Sequence, residues 1–192
     1  SINRFSSLVM LSRRLLRVKV AKALYAHLKS GSDNLKVTEK NLVDSIDKAY
    51  DLYFQMMSLI TEVANYAESR IDLNKQKKLP TYEDLNPNRR FVDNAVIHLF
   101  ANSDSVNDVL ASRKLSWNQH QDAVKDVYNR LVEAEFYQKY MSAPVNTFTN
   151  DKKFVEEFYQ WLEQDEVLAD VVTEMSRLWA DDYGFALYLA MR

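Results

Sequence analysis

Between Leu42 and Ala67 the chain repeats one pattern without a break. Leu42, Ile46, Ala49, Tyr53, Met56, Ile60, Val63 and Ala67 follow one another at spacings of four and three in alternation. Only a helix gathers such positions on one side, because residues three, four and seven apart share a face. A seam this long predicts one extended helix that packs along another. Tyr50, Phe54, Met57 and Tyr66 widen the stripe, and Met and aromatic side chains at this spacing read as core. Thr38 is the expected N-cap, with Glu39 in the first turn, and the helix is expected to dissolve over residues 74–78, before Pro80.

The rest of the chain reads the same way. Only 2 glycines and 3 prolines occur in 192 residues, 47% of them hydrophobic. That composition predicts an all-α protein, a helical bundle of long helices and short joints with a core of its own. Gly31 is a helix stop, and Asp33-Asn34 a turn. Thr81 with Asp84 forms a capped turn, bounded by Pro87. A third helix is expected from Asn88 with Phe91, Val96 and Leu99, and a kink or new cap at Ser103-Asp104. A helix capped by Asn118 should run to about Tyr140. Asn150 or Asp151 should cap the next, and Val167, Val171, Met175 and Leu178 mark another. The final GFALYLAMR has no cap and no polar tail, and reads as a cut rather than an end. The expected division is 1–78 for the N-terminal helices with their basic arm, and 79–192 for a second helical unit.

Charge is distributed unevenly. The first 32 residues hold Arg4, Arg13, Arg14, Arg17, Lys19, Lys22 and Lys29 and no acid, leaving 18 basic against 27 acidic residues after them. Such an arm points to a polyanionic partner rather than to a generally basic protein. On a helix, Arg13, Arg14 and Arg17 fall within one arc of about 100°. The same arc continues into Ala21, Leu24 and Leu28, read as a buried stripe, so the arginines would project from the rim of a core. Apolar residues at the remaining azimuths place this helix centrally in the bundle.

Chemistry-bearing patterns are lacking. His27, His98 and His120 lie on separate segments, without a carboxylate or second histidine at metal spacing. No phosphate-cradling or nucleophile motif occurs. The adjacent acids Glu156-Glu157, Asp165-Glu166 and Asp181-Asp182 point about 100° apart on a helix, which makes no shared acid–base site. No enzyme activity and no cofactor is expected. Without cysteine, disulfides are excluded, and a cytoplasmic protein fits. No apolar run is long enough for a membrane span, and residues 6–11 are too short for a signal peptide.

RRLLRVKVAKALYAHLKSG resembles the opening helix of NusB, the bacterial transcription antitermination factor, with clustered arginines followed by the step Ala23, Leu24 and Tyr25. Leu15 stands where some members have a further arginine. YDLYFQMMSLITEV (50–63) and LPTYEDLNPNRRFVDN (79–94) resemble the long form of NusB from Bacteroidetes-type bacteria, which has a large helical insert. The resemblance covers nearly the whole chain. It implies NusB-like N-terminal helices plus a helical insert, and RNA binding through Arg13, Arg14 and Arg17. The implied partners are single-stranded, boxA-like RNA of ribosomal leaders and NusE, a small-subunit ribosomal protein. The family's second half is not found before Arg192, so an exposed seam on the first two helices is expected, which favours a homodimer or domain exchange.

Two functional readings follow. One is an RNA-binding antitermination factor. The other is a helical protein–protein adaptor without direct RNA binding, whose working surface is the acidic, aromatic-rich 80–192.

Overall fold

The computed structural model describes residues 13–31 and 34–191, with Arg14 described in its backbone alone. Arg4, residues 6–11, Asp33 and Arg192, all weighed above, lie outside the described residues. Those described form ten α-helices and two short 3-10 turns, with no strand. In order the helices are α1 (Arg13–Ser30), α2 (Leu35–Lys75), α3 (Tyr82–Leu85), α4 (Ala95–Ala101), α5 (Asp104–Arg113), α6 (Gln121–Glu133), α7 (Glu135–Ser142), α8 (Phe148–Leu162), α9 (Glu166–Met175) and α10 (Tyr183–Ala190). The 3-10 turns are Asn118–His120 and Arg177–Trp179. No helix among them is long and apolar enough to cross a membrane.

The axis of the molecule is α2, whose 41 residues extend about 60 Å at 1.5 Å per residue. α1, α3, α4, α5, α6, α10 and the 3-10 turn at Arg177–Trp179 all pack on it. Its seam is buried from Ile46 to Ala67 except at the half-buried Tyr53. Leu52, Leu59 and Ala64 are buried as well. A single row of apolar residues needs one partner. The wider belt observed here suits a helix surrounded on several sides.

The main core joins this part of α2 to Phe91, Trp117, Leu131, Phe154, Phe158, Tyr159, Trp179 and Leu187, drawn from both sides of the 79–89 loop. Its large aromatics use α2's own carbonyls to satisfy their polar atoms. The indole N–H of Trp117 donates to the Gln55 carbonyl (2.9 Å), that of Trp179 to the Lys48 carbonyl (2.8 Å), and the Tyr159 hydroxyl to those of Met56 and Met57 (3.1 and 3.0 Å). A helical carbonyl has a second lone pair, so these bonds leave the helix intact.

Several helix starts differ from the sequence expectation. Asn34 caps α2 by accepting from the Val37 amide, so the helix begins before Thr38. The third helix starts at Ala95, not Asn88, because Asn94 accepts from the amides of Val96 and Ile97. Asn88 is occupied elsewhere, donating to the Met141 carbonyl and accepting from the Arg90 amide. Thr147 caps α8 in place of Asn150 or Asp151. Asp151 instead accepts from the Tyr140 hydroxyl (2.7 Å) and the Ala95 amide (2.9 Å) inside the core. The helix expected to reach Tyr140 breaks at Ala134, whose backbone is extended between α6 and α7. The reciprocal cap of Thr81 and Asp84 is present as expected.

Candidate nucleic-acid interface

α1 carries the arginines, and its seat on the fold decides which way they face. Leu15 is its buried apolar anchor, packed with Ile46 and Ala49 of α2 and flanked by Leu16, Leu42, Phe185 and Leu189. This cluster is small and separate from the main core. Two ion pairs supplement it. The Lys19 ammonium donates to Asp182 at 2.8 Å, with side chains only 9% and 4% exposed. Lys22 meets Asp181 at the same distance on the surface, and its hydrogen bond and charge hold the Asp181 carboxyl below its ordinary range. Lys19 and Lys22 are one helical turn apart, which lets one helix face answer two consecutive acids. Near the end of α1, His27 Nδ1 lies 2.8 Å from Thr38 Oγ1.

With Leu15 and Lys19 turned inward, the arginine arc faces out. Arg17 lies about 160° around the helix from Leu15, and Arg13 and Arg17 are both exposed. Neither has an ion-pair partner among the described residues. The side chain of Arg14 lies outside the described residues. Ala21, Leu24 and Leu28 do share the arc, but they are exposed rather than buried, Leu28 by 79%. The expectation of a central first helix is therefore corrected. α2 takes the centre, and α1 lies against its N-terminal half as an outer helix. An all-round apolar sequence did not mean all-round burial.

Among the N-terminal cations whose side chains are described, the fold thus separates two kinds. Lys19 and Lys22 are used structurally, and Lys29 stands 5.9 Å from the centre of the Tyr25 ring. Arg13 and Arg17 stay on the outer face with Leu24, and Tyr25, 66% exposed, lies on the flank of the helix. A cleft of about 580 Å³ opens on the other side of α1, bounded by Lys19, Lys22, His27, Thr38, Arg177 and Asp182. Sequence reasoning missed the Lys19–Asp182 pair. Its signal was the placement of Lys19 on the azimuth of Leu15. Among the described residues no group of three or more His, Asp or Glu side chains is placed to hold a metal ion.

No family model matches this chain, and the comparisons with curated proteins and with solved structures found no match.

Proposed function

We propose that the outer face of α1 binds single-stranded RNA, with Arg13, Arg14 and Arg17 as the phosphate- and base-contacting residues, in a transcription antitermination factor of NusB type. The observation that carries this reading is the pair Arg13 and Arg17, exposed one turn apart and without carboxylate partners among the described residues. A free guanidinium keeps its donors for phosphate and its plane for stacking on an unpaired base. Tyr25 adds an exposed ring of the type on which single-stranded bases stack. The RNA proposed is boxA-like, and the protein partner proposed is NusE, both on the resemblance of the 13–31 and 79–94 segments.

The test is fluorescence anisotropy with a boxA-like oligoribonucleotide at several salt concentrations. Replacing the three arginines by alanine should weaken binding strongly. It should also flatten the log–log salt dependence by about two units, at roughly 0.7 per lost contact on a single strand. Lys29→Ala should leave binding nearly intact. Wild-type binding by the triple variant overturns the reading, and equal loss at Lys29 replaces a defined site by diffuse attraction.

A second reading has its own observation. Val18, Leu24, Tyr25 and Leu28 of α1 and Leu35 and Val37 of α2 are all more than 40% exposed. A patch of this kind suits a protein partner or a second copy. The aromatics of 80–192 are largely buried, among them Phe91, Trp117, Tyr137, Phe154, Tyr159 and Trp179. An adaptor built on this fold would draw on α1, together with those apolar side chains of 80–192 that stay exposed, among them Tyr82, Leu99, Phe148 and Val167. Its binding would respond far less to salt than RNA binding does.

A further inference from the structure

α6 and α9 lie side by side and leave an apolar groove of about 210 Å³ between them. Its floor is Val127 and Leu168, both buried, and its walls are Ala123, Val167 and Val171. Val167 is 61% exposed and Val171 half-buried, so the chain's own packing leaves both partly uncovered. Carboxylates edge the groove. Asp122 and Asp126 line it from α6, and on α9 the exposed Asp170 and Glu174 each follow one of the valines by three residues. The groove's cation, Arg130, is committed to Asp126 and Asp165 at 2.8 and 2.6 Å. Lys125 lies about 160° around α6 from both Ala123 and Val127, away from the groove. The groove is thus apolar inside and negative at its edges.

α1 presents the opposite combination. Ala21, Leu24 and Leu28 fall at i, i+3 and i+7, the spacing by which an amphipathic helix fills a groove between others. All three are exposed. Arg13 and Arg17 continue the same stripe, and α1 has no acidic residue of its own. Leu24 lies about 180° around the helix from Leu15. Because Leu15 faces α2, the stripe is turned away from its own body, and a groove in that body is reached only from another copy. Two such stripes would not pair with each other, since cation would meet cation.

We infer that a second copy of this chain seats the outer stripe of its α1 in the α6–α9 groove, with Leu24 and Leu28 on the valines and the arginines toward the carboxylates. Resting on the second reading above and not on RNA binding, this contact competes with RNA for one face. It joins unlike surfaces, α1 to groove. It therefore closes as a dimer where two copies exchange α1, and runs on as an open chain where they do not. The apolar side chains hold the contact, and the charges speed its formation and fix its direction.

Sedimentation velocity on the whole chain, over a range of concentrations, tests it. Association that grows with concentration and weakens modestly in high salt is expected. Leu28→Lys and Val167→Lys should each weaken it by about tenfold or more, since an apolar side chain loses its burial in the contact. Both positions are exposed in the single chain, so both variants keep their fold, as helical circular dichroism will show. Asp170→Lys/Glu174→Lys, also at exposed positions, should act in the same direction through charge alone. The decisive measurement mixes the two single variants. Leu28→Lys brings an intact groove and Val167→Lys an intact α1, so the mixture should associate where neither does alone. A mixture that stays monomeric, or association hit by Leu28→Lys and untouched by Val167→Lys, overturns the inference, the latter by placing α1 against α1 or another surface. A wild-type chain that stays monomeric at every concentration overturns it too. All variants keep Arg13, Arg14 and Arg17, so RNA binding by a strictly monomeric chain leaves the RNA reading standing and this one overturned.

Discussion

From Leu52 to Ala67, α2 is enclosed by other helices, and its buried face includes Leu52, Leu59, Ile60 and Val63 at 0% exposure. Near its start, Leu35 and Val37 on the same helix are more than half exposed, and α1 is held beside it by the cluster of Leu15, Ile46 and Ala49. One helix therefore serves two regimes. Its later half is stabilised by non-directional burial, which tolerates salt and moderate pH. Its first half carries α1 through a small apolar patch and two ion pairs, of which the exposed one, Lys22 with Asp181, depends on both. The region proposed to meet RNA is thus the weakly attached one. Binding faces are drawn from the low-stability end of a fold for this reason, and α1 is expected to open locally before the core does.

The sharpest contrast between the regions comes from truncating one anchor in each. Trp117 is fully buried, and Trp117→Ala should cost about 3–5 kcal/mol, read as a large drop in the denaturant midpoint. Leu15→Ala removes the inward apolar anchor of α1. Its effect is limited by the free energy of undocking α1, so hydrogen exchange should rise over 13–30 while 52–67 stays protected. Equal global losses in the two variants would mean that α1 and the core unfold as one unit.

Next comes the buried pair. Asp182→Asn leaves Lys19 buried without its counter-charge, a change that costs about 3–5 kcal/mol where the structure cannot relax. Here it can relax, by releasing α1. The expected result is loss of amide protection in α1 with a smaller change in the global midpoint. Lys19→Met/Asp182→Leu, which removes both charges, should restore much of that protection. A double variant as poorly protected as Asp182→Asn would locate the defect in packing and not in the orphaned charge.

High pH should act on the other region. Burial raises the hydroxyl pKa values of Tyr137, Tyr140, Tyr159 and Tyr183 above the ordinary 10.0, and all four belong to the main core. A raised folded-state pKa means that the neutral form is favoured by folding. The stabilisation is complete below pH 10 and is lost as pH rises toward the folded values. Denaturant midpoints should hold up to about pH 10 and fall beyond it. Tyr159→Phe should reduce that fall. A flat alkaline profile would mean that these hydroxyls ionise without unfolding the core.

Much of the core was legible because periodicity is local. The seam from Ile46 to Ala67 needs only the 3.6-residue turn to be read, and most of it is buried as expected. The turn at Thr81 was legible for the same reason. Orientation of α1 was not, because its apolar residues surround the helix and cannot say which side meets α2. That choice is made by contacts distant in sequence, Leu15 with Ile46 and Lys19 with Asp182. Caps failed in a similar way. Asn88, Thr38 and Asp151 are good caps by residue type, but each is committed elsewhere, to Met141, His27 and Tyr140 respectively. The arginine arc itself needed only spacing, whereas its exposure depended on the fold.

The smallest effect is expected at the surface pair of Lys22 and Asp181. Lys22 lowers the Asp181 pKa from 3.8, so the pair contributes stability that is present above that value and is lost as pH falls through the folded one. The side chains are 59% and 76% exposed, and solvent screening leaves such a pair roughly 0.2–1 kcal/mol. Lys22→Ala should therefore leave the global midpoint unchanged and raise hydrogen exchange in α1 slightly. High salt, with a Debye length near 3 Å at about 1 M, should reproduce that rise in the wild type and add little in the variant. Lys19 and Asp182, shielded from solvent, should be nearly indifferent to the same salt. If salt loosens α1 as much as Asp182→Asn does, then the attachment is governed by diffuse attraction between the basic helix and the acidic remainder of the chain, and the buried pair holds no special place in it.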